Sequence, residues 1–290
     1  MTARLAAGAL LLVTSTVASA QDTDLITPGA KVERVAGGFG FLEGPAADAD
    51  GALYFSDVVR ERIHRWSPET GVTTFRESTG RANGLRVDVD GTLLVCEMAN
   101  RQLTAIAPDG LVTVLADRFE DQRFNSPNDL WVDPAGGIYF SDPHYGPADA
   151  QEIKGNHVYY LAPDRETLLQ VTSDLVQPNG IIGTPDGSRI YIADQGAGRL
   201  WAYRPADDGS LTDKRLFVAQ GSDGLTMDER GNLYVTGQDV TIFNPAGEPI
   251  ASIGVPEPPA NLTFGGPDHT TLFITARTSL YRVEMLVTGQ

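Results

Sequence analysis

Glu43-Gly44-Pro45, then Asp48-Ala49-Asp50-Gly51, then Ala52-Leu53-Tyr54-Phe55-Ser56-Asp57, then Arg62-Ile63-His64-Arg65-Trp66: the chain says this once and then says it again, and the repetition decides the fold. Asn83-Gly84-Leu85 leads to Asp90-Gly91 and Leu93-Leu94-Val95. Asn128-Asp129-Leu130 leads to Gly136-Gly137 and Ile138-Tyr139-Phe140-Ser141-Asp142. Asn179-Gly180-Ile181 leads to Asp186-Gly187 and Ile190-Tyr191-Ile192-Ala193-Asp194. Asp223-Gly224-Leu225 leads to Arg230-Gly231 and Leu233-Tyr234-Val235, and Asn261-Leu262-Thr263 to Pro267-Asp268 and Leu272-Phe273-Ile274-Thr275. The starts are 40, 45, 51, 44 and 38 residues apart, close to the period of a four-stranded propeller blade. Each unit reads as strand, Asp-Gly-type turn, strand, looser turn and strand, with a fourth strand such as Val112-Thr113-Val114-Leu115 in most units. No unit carries a run of 3.6-residue periodicity, which disfavours a helical solenoid.

The sequence therefore predicts an all-β, six-bladed β-propeller. The last unit ends at Ser279-Leu280-Tyr281-Arg282-Val283, one strand short, while Lys31-Val32-Glu33-Arg34-Val35 has strand character ahead of the first unit. The N-terminal strand is expected to complete the final blade and remove an exposed edge.

Composition agrees. Hydrophobic residues make up 41% of the 290 residues, enough for a sizeable core, and 31 Gly and 18 Pro suit many short strands and tight turns. The single Cys96, beside Leu94 and Val95, permits no internal disulfide and reads as a buried core thiol. A formal charge of −16 without a basic cluster excludes a nucleic-acid partner. Arg4, the apolar run Leu5 to Val17 and Ala18-Ser19-Ala20 before Gln21 read as a cleaved export signal over residues 1–20. The run is too short and too broken by Thr14, Ser15 and Thr16 for a membrane anchor. One propeller domain over 21–290, free of the membrane and periplasmic or secreted, is expected.

Every unit opens on an oxygen-bearing side chain: Glu43, Asn83, Asn128, Asn179, Asp223 and Asn261. Asn-Gly and Asp-Gly are also hairpin dipeptides. Each unit, however, has a second turn pair downstream, so the opening residue reads as the entry to the innermost strand, facing the axis. A ring of carboxylate and amide oxygens suits a hard divalent cation, calcium first, with magnesium, manganese or zinc as alternatives. No His or Cys belongs to the ring, which disfavours zinc as the preferred occupant. Asp57, Asp142 and Asp194, at the ends of second strands, read as turn caps. His144 reads either as a solvated loop histidine or as a substrate or proton-shuttling contact. No Gly-x-Ser-x-Gly elbow, dinucleotide fingerprint or phosphate-binding loop is present.

At Leu42-Glu43-Gly44-Pro45, Asn125-Ser126-Pro127-Asn128-Asp129-Leu130, Asp142-Pro143-His144-Tyr145-Gly146, Pro178-Asn179-Gly180, Ser222-Asp223-Gly224 and Phe264-Gly265-Gly266-Pro267-Asp268 the chain resembles the gluconolactonase, regucalcin and luciferin-regenerating-enzyme family of six-bladed propellers. The motifs span about 43 to 282 in the family's order. The resemblance implies that Glu43, Asn179 and Asp223 ligate the metal, with Asn128 a fourth ligand or a holder of substrate oxygen. It implies Asp223 as general base or nucleophile, and Asn83, Asn128 and His144 are carried as candidate substrate contacts. Three departures bear on substrate choice: Glu97-Met98 where the family often has Glu-His, His144 where Pro is commoner, and Ser126 where regucalcin-like members carry Arg. Metal-assisted hydrolysis of a small lactone is the expected activity. A phosphotriesterase-like hydrolase and a non-catalytic, metal-plugged binding propeller are the alternatives.

Overall fold

Short alternating strands joined by Asp-Gly turns can bury their apolar faces only against one another, and here they do so as six four-stranded antiparallel sheets. The structure is a computed structural model describing residues 24–147 and 151–290; the expected export signal lies outside the described residues. Strand β1 (Glu33–Gly37) comes first. Blade 1 then runs β2 (Leu42–Ala47), β3 (Leu53–Asp57), β4 (Arg62–Ser67) and β5 (Gly71–Glu77). Blade 2 is β6 (Ala82–Val87), β7 (Leu93–Glu97), β8 (Gln102–Ile106) and β9 (Val112–Ala116), followed by a small ribbon of β10 (Arg118–Phe119) and β11 (Gln122–Arg123). Blade 3 is β12 (Leu130–Val132), β13 (Ile138–Asp142), β14 (Asn156–Leu161) and β15 (Leu168–Leu175). Blade 4 is β16 (Pro178–Gly183), β17 (Ile190–Asp194), β18 (Arg199–Pro205) and β19 (Leu211–Val218). Blade 5 is β20 (Leu225–Met227), β21 (Leu233–Thr236), β22 (Val240–Phe243) and β23 (Pro249–Ile253). Blade 6 has β24 (Asn261–Gly265), β25 (Thr271–Ala276) and β26 (Ser279–Glu284).

The ring closes as the sequence implies. β1 pairs antiparallel with β26, Glu33 opposite Arg282 and Gly37 opposite Ser279, so the final sheet has the order β1-β26-β25-β24. An ion pair of 3.0 Å between Arg282 and Glu33 sits on the seam. It is exposed and adds at most about 1 kcal/mol; the ladder and the apolar residues beneath it hold the closure.

Apolar side chains between blades form the core. Ala46 and Ile63 of blade 1 meet Leu85 and Val95 of blade 2, and Leu94 and Cys96 meet Phe140 and Tyr159 of blade 3. Trp131, Ile192 and Leu225 link blades 3 to 5, and Tyr234 and Ile242 pack on Leu272 and Ile274 of blade 6. Trp66 of blade 1 lies 4.8 Å from Phe273 of blade 6, completing the circle. Cys96 is fully buried, and its thiol is pushed up by burial, as an inert core thiol should be. The downstream Asp-Gly pairs form the tight turns: Asp48 Oδ1 accepts from Asp50 N at 3.1 Å and Ala52 N at 2.8 Å, with Gly51 at φ +79°.

Candidate metal and substrate site

A residue of a regular strand alternates sides with its neighbours, so a break in the ladder frees a strand-entry side chain to turn toward the axis. In blades 1, 2 and 4 β-bulges supply it. The pairing of β2 with β3 shifts between Glu43 and Ala46, of β6 with β7 between Ala82 and Leu85, and of β16 with β17 between Pro178 and Ile181. In blades 3 and 5 the paired strand starts only at Leu130 and Leu225, leaving Asn128 and Asp223 outside the ladder.

The glycines after these residues are spaced for crowding. Gly84, Gly180 and Gly224 do not adopt left-handed φ, so they are not turn glycines. A Cβ on Gly84 would lie 2.6 Å from the Asn128 carbonyl oxygen, on Gly180 2.5 Å from that of Asp223, and on Gly224 2.1 Å from Asn261 Oδ1. Each glycine lets the next blade's ring residue reach the axis, which settles the hairpin-or-tunnel question in favour of the tunnel.

Five of the six ring residues, Glu43, Asn83, Asn128, Asn179 and Asp223, line one front cavity of about 750 Å³. The sixth does not. β24 pairs regularly with β25 from Asn261 onward, with no bulge to swing that side chain forward. Asn261 lines a rear cavity of about 120 Å³ instead, where its Nδ2 approaches Asp129 Oδ2 at 3.5 Å.

Within the front cavity Asn179 Nδ2 donates to Asp223 Oδ1 at 2.6 Å and to Gln195 Oε1 at 3.1 Å. Asn128 Nδ2 and Asn179 Nδ2 both donate to the Tyr145 hydroxyl, at 2.8 and 3.2 Å. Asn83 Nδ2 reaches Met98 Sδ at 3.3 Å, so the Glu97-Met98 departure falls inside the site. His144 lines the cavity, but its Nε2 is engaged with the Pro147 carbonyl at 2.8 Å. Ser126 lines the wall, its N–H donating to Asp142.

Asp57, Asp142 and Asp194 are loop fasteners. Asp142 accepts from the N–H groups of Asn125 at 2.8 Å and Ser126 at 2.7 Å. Asp57 does the same for Gly40 and Phe41, and Asp194 for Val176 and Gln177. Each clamps the segment leading into the innermost strand of its own blade, and so positions Asn128, Glu43 and Asn179 respectively.

The electrostatics are those of crowded, buried acids that no cation among the described residues contacts directly. Burial, then Asp223 and Asp129, hold the Glu43 carboxyl well above its ordinary range. Burial pushes Asp223 up to about 6 and Asp129 up to about 7. Among the described residues none of the three forms an ion pair, and Glu43 and Asp223 share a hydrogen bond. Uncompensated buried carboxylates cost several kcal/mol each, and a cation at their junction removes that cost. Two carboxylates and two amides offer oxygen donors only, which fits calcium, and no cluster of three or more His, Cys, Asp or Glu is found among the described residues.

Two participants escaped the sequence reading. Tyr145, quoted only as part of a motif, bridges the two amides. Asp129 follows its ring residue where blades 1, 2, 4 and 5 have Gly, and that substitution was the available signal.

Comparison with known proteins gives the family and agrees with the fold. Residues 41–278 match the family model described as the SMP-30/gluconolactonase/LRE-like region. A gluconolactonase of Zymomonas mobilis is 31% identical, over 92% of this chain and 83% of its own length. The gluconolactonase XC5397 of Xanthomonas campestris superposes with a TM-score of 0.82 at 28% identity, covering 95% of this chain and 99% of that one. Regucalcin of Agrobacterium tumefaciens, a calcium-binding protein, shares the fold at 21% identity and a TM-score of 0.75, over 88% of this chain and 93% of its own.

Proposed function

The chain belongs to the SMP-30/gluconolactonase/LRE-like family, and on that premise we propose that it hydrolyses small lactones in the front cavity, against a divalent cation held by Glu43, Asn128, Asn179 and Asp223. The supporting observation is the convergence of these side chains, far apart in sequence, on a cavity large enough for a sugar lactone. Calcium leads the candidates because every donor is oxygen.

When bound, the cation supplies polarisation of the ester carbonyl and charge against the developing oxyanion. The chain supplies the rest. Asp223 takes the proton of the attacking water, and Asn179, donating to its Oδ1, fixes the carboxylate's orientation. Water oxygen adds to the carbonyl carbon, the ring C–O bond then breaks as the carbonyl re-forms, and the proton held by Asp223 passes to the departing ring oxygen, leaving a hydroxy acid. Asn83 and Asn128 present amides to the sugar hydroxyls. A nearby cation lowers Asp223 from about 6 and weakens it as a base, so strained or activated rings are the expected targets. We further propose, from the export signal expected at 1–20, that the mature chain works in the periplasm or outside the cell.

Acid release from a panel of lactones, with and without chelator, tests the reading. Turnover that vanishes with chelator and returns with calcium is expected. A chelator-sensitive melting temperature without turnover of any lactone would instead leave a binding propeller.

A further inference from the structure

Beyond the metal and the ring carbonyl, the mouth of the site carries charge that the lactone reading alone leaves unused. Three arginines border it. Arg101 is spent: its guanidinium donates to Glu152 at 2.8 Å, to the Arg123 carbonyl at 3.1 Å and to the Phe124 carbonyl. Arg81 lines the front cavity and Arg277 an adjoining pocket of about 460 Å³, and neither guanidinium has a hydrogen bond or ion pair among the described residues. In a protein of net charge −16, with Glu43 and Asp223 offset by a divalent cation, these two are the surplus charges facing the substrate.

Arg277 is the better placed. Its guanidinium lies 5.6 Å over the Phe41 ring, a stacking that holds a planar cation. Its carbonyl is pinned by Leu42 N at 2.8 Å, and its backbone is left-handed at φ +49°. The side pocket shares Phe41, Gln195 and Asp223 with the front cavity, so one ligand can occupy both. The remaining walls are neutral, with Ser222, Gln238, Pro258 and Pro259 among them. One planar fork fits a carboxylate; a phosphate dianion calls for a second cation, and Arg277 is the one cationic residue of this lining.

Resting on the lactonase reading, we propose that the substrate is a lactone bearing a carboxylate of its own, which Arg277 receives in the side pocket while the ring carbonyl faces Glu43, Asn179 and Asp223. The matched probes are glucaro-1,4-lactone and glucono-1,4-lactone, which differ by a carboxylate in place of a hydroxymethyl group. Wild type should favour the former. Arg277→Gln should lower kcat/KM for glucaro-1,4-lactone by about 10-fold through KM, with kcat and the gluconolactone parameters within about 2-fold. Calorimetric titration of the calcium-loaded protein with glucarate and gluconate gives a readout independent of turnover. Arg277→Gln should weaken glucarate by about 10-fold and spare gluconate. Equal losses on both ligands, no loss, or a loss that follows Arg81→Gln instead would overturn the assignment. Failure of wild type to hydrolyse either lactone sinks the lactonase reading alone, and glucarate binding then still decides for or against Arg277.

Discussion

At Asp223 two demands meet, since the same carboxylate is asked to hold a cation and to accept a proton. Asp223→Asn keeps the shape and one oxygen donor but removes the base. Turnover should drop by a factor on the order of 10²–10⁴, with the circular dichroism spectrum unchanged; kinetics near wild type would remove Asp223 from the proton path. Tyr145 tests the neighbouring amides. Tyr145→Phe deletes the acceptor shared by Asn128 and Asn179, and calcium affinity should fall by about 10-fold, as for lost partners of metal ligands. Legibility at this scale was uneven. Glu43, Asn179 and Asp223 could be set facing the axis because each opens a repeat, while their choice as ligands rests on the family resemblance. Tyr145 could not, since its role depends on a loop turning over the tunnel. Asn261 obeyed the same pattern yet lies behind the site: it is followed by Leu262 rather than Gly, and β24 pairs regularly from Asn261 onward.

Among elements, the segments entering the innermost strands matter most, because bulges and clamps there do what strand alternation cannot. Asp142 fastens Asn125 and Ser126, and its loss removes two buried hydrogen bonds to a carboxylate. Asp142→Ala should cost about 2–4 kcal/mol in urea unfolding and weaken activity more than its distance from the chemistry suggests, since Asn128 follows directly. Unchanged stability would mean that the segment holds itself. The sequence marked Asp57, Asp142 and Asp194 as caps from their place at strand ends. It could not say that they cap inward, across |i−j| of 16 to 18 residues, since such reach belongs to tertiary structure. Phe273 is the matching test of ring closure. Phe273→Ala, fully buried against Trp66 at the junction of blades 6 and 1, should cost about 3–5 kcal/mol.

For the molecule as a whole, the tunnel concentrates carboxyls that folding alone does not favour as anions. Asp129 is pushed up to about 7, Asp223 to about 6 and Glu43 well above its ordinary range, in each case first by burial. A folded-state value above the unfolded one stabilises the fold while the group is protonated. That contribution is complete below about pH 4 and is lost as pH rises through the folded values. Metal-free protein should therefore melt lower at pH 8 than at pH 5, and calcium should raise the melting temperature more at pH 8. A flat profile would mean that these acids are compensated by something other than a cation. The six-fold repeat and the closing strand were readable because both are patterns along the chain; the residual charge of the tunnel was not, because it arises only when distant acids are brought together. The most direct test is a calcium titration of chelator-stripped protein, following acid release from glucono-1,5-lactone. Activity should rise linearly from near zero and level off at one equivalent of tightly bound calcium. Full activity in the stripped protein would contradict the cation-centred account.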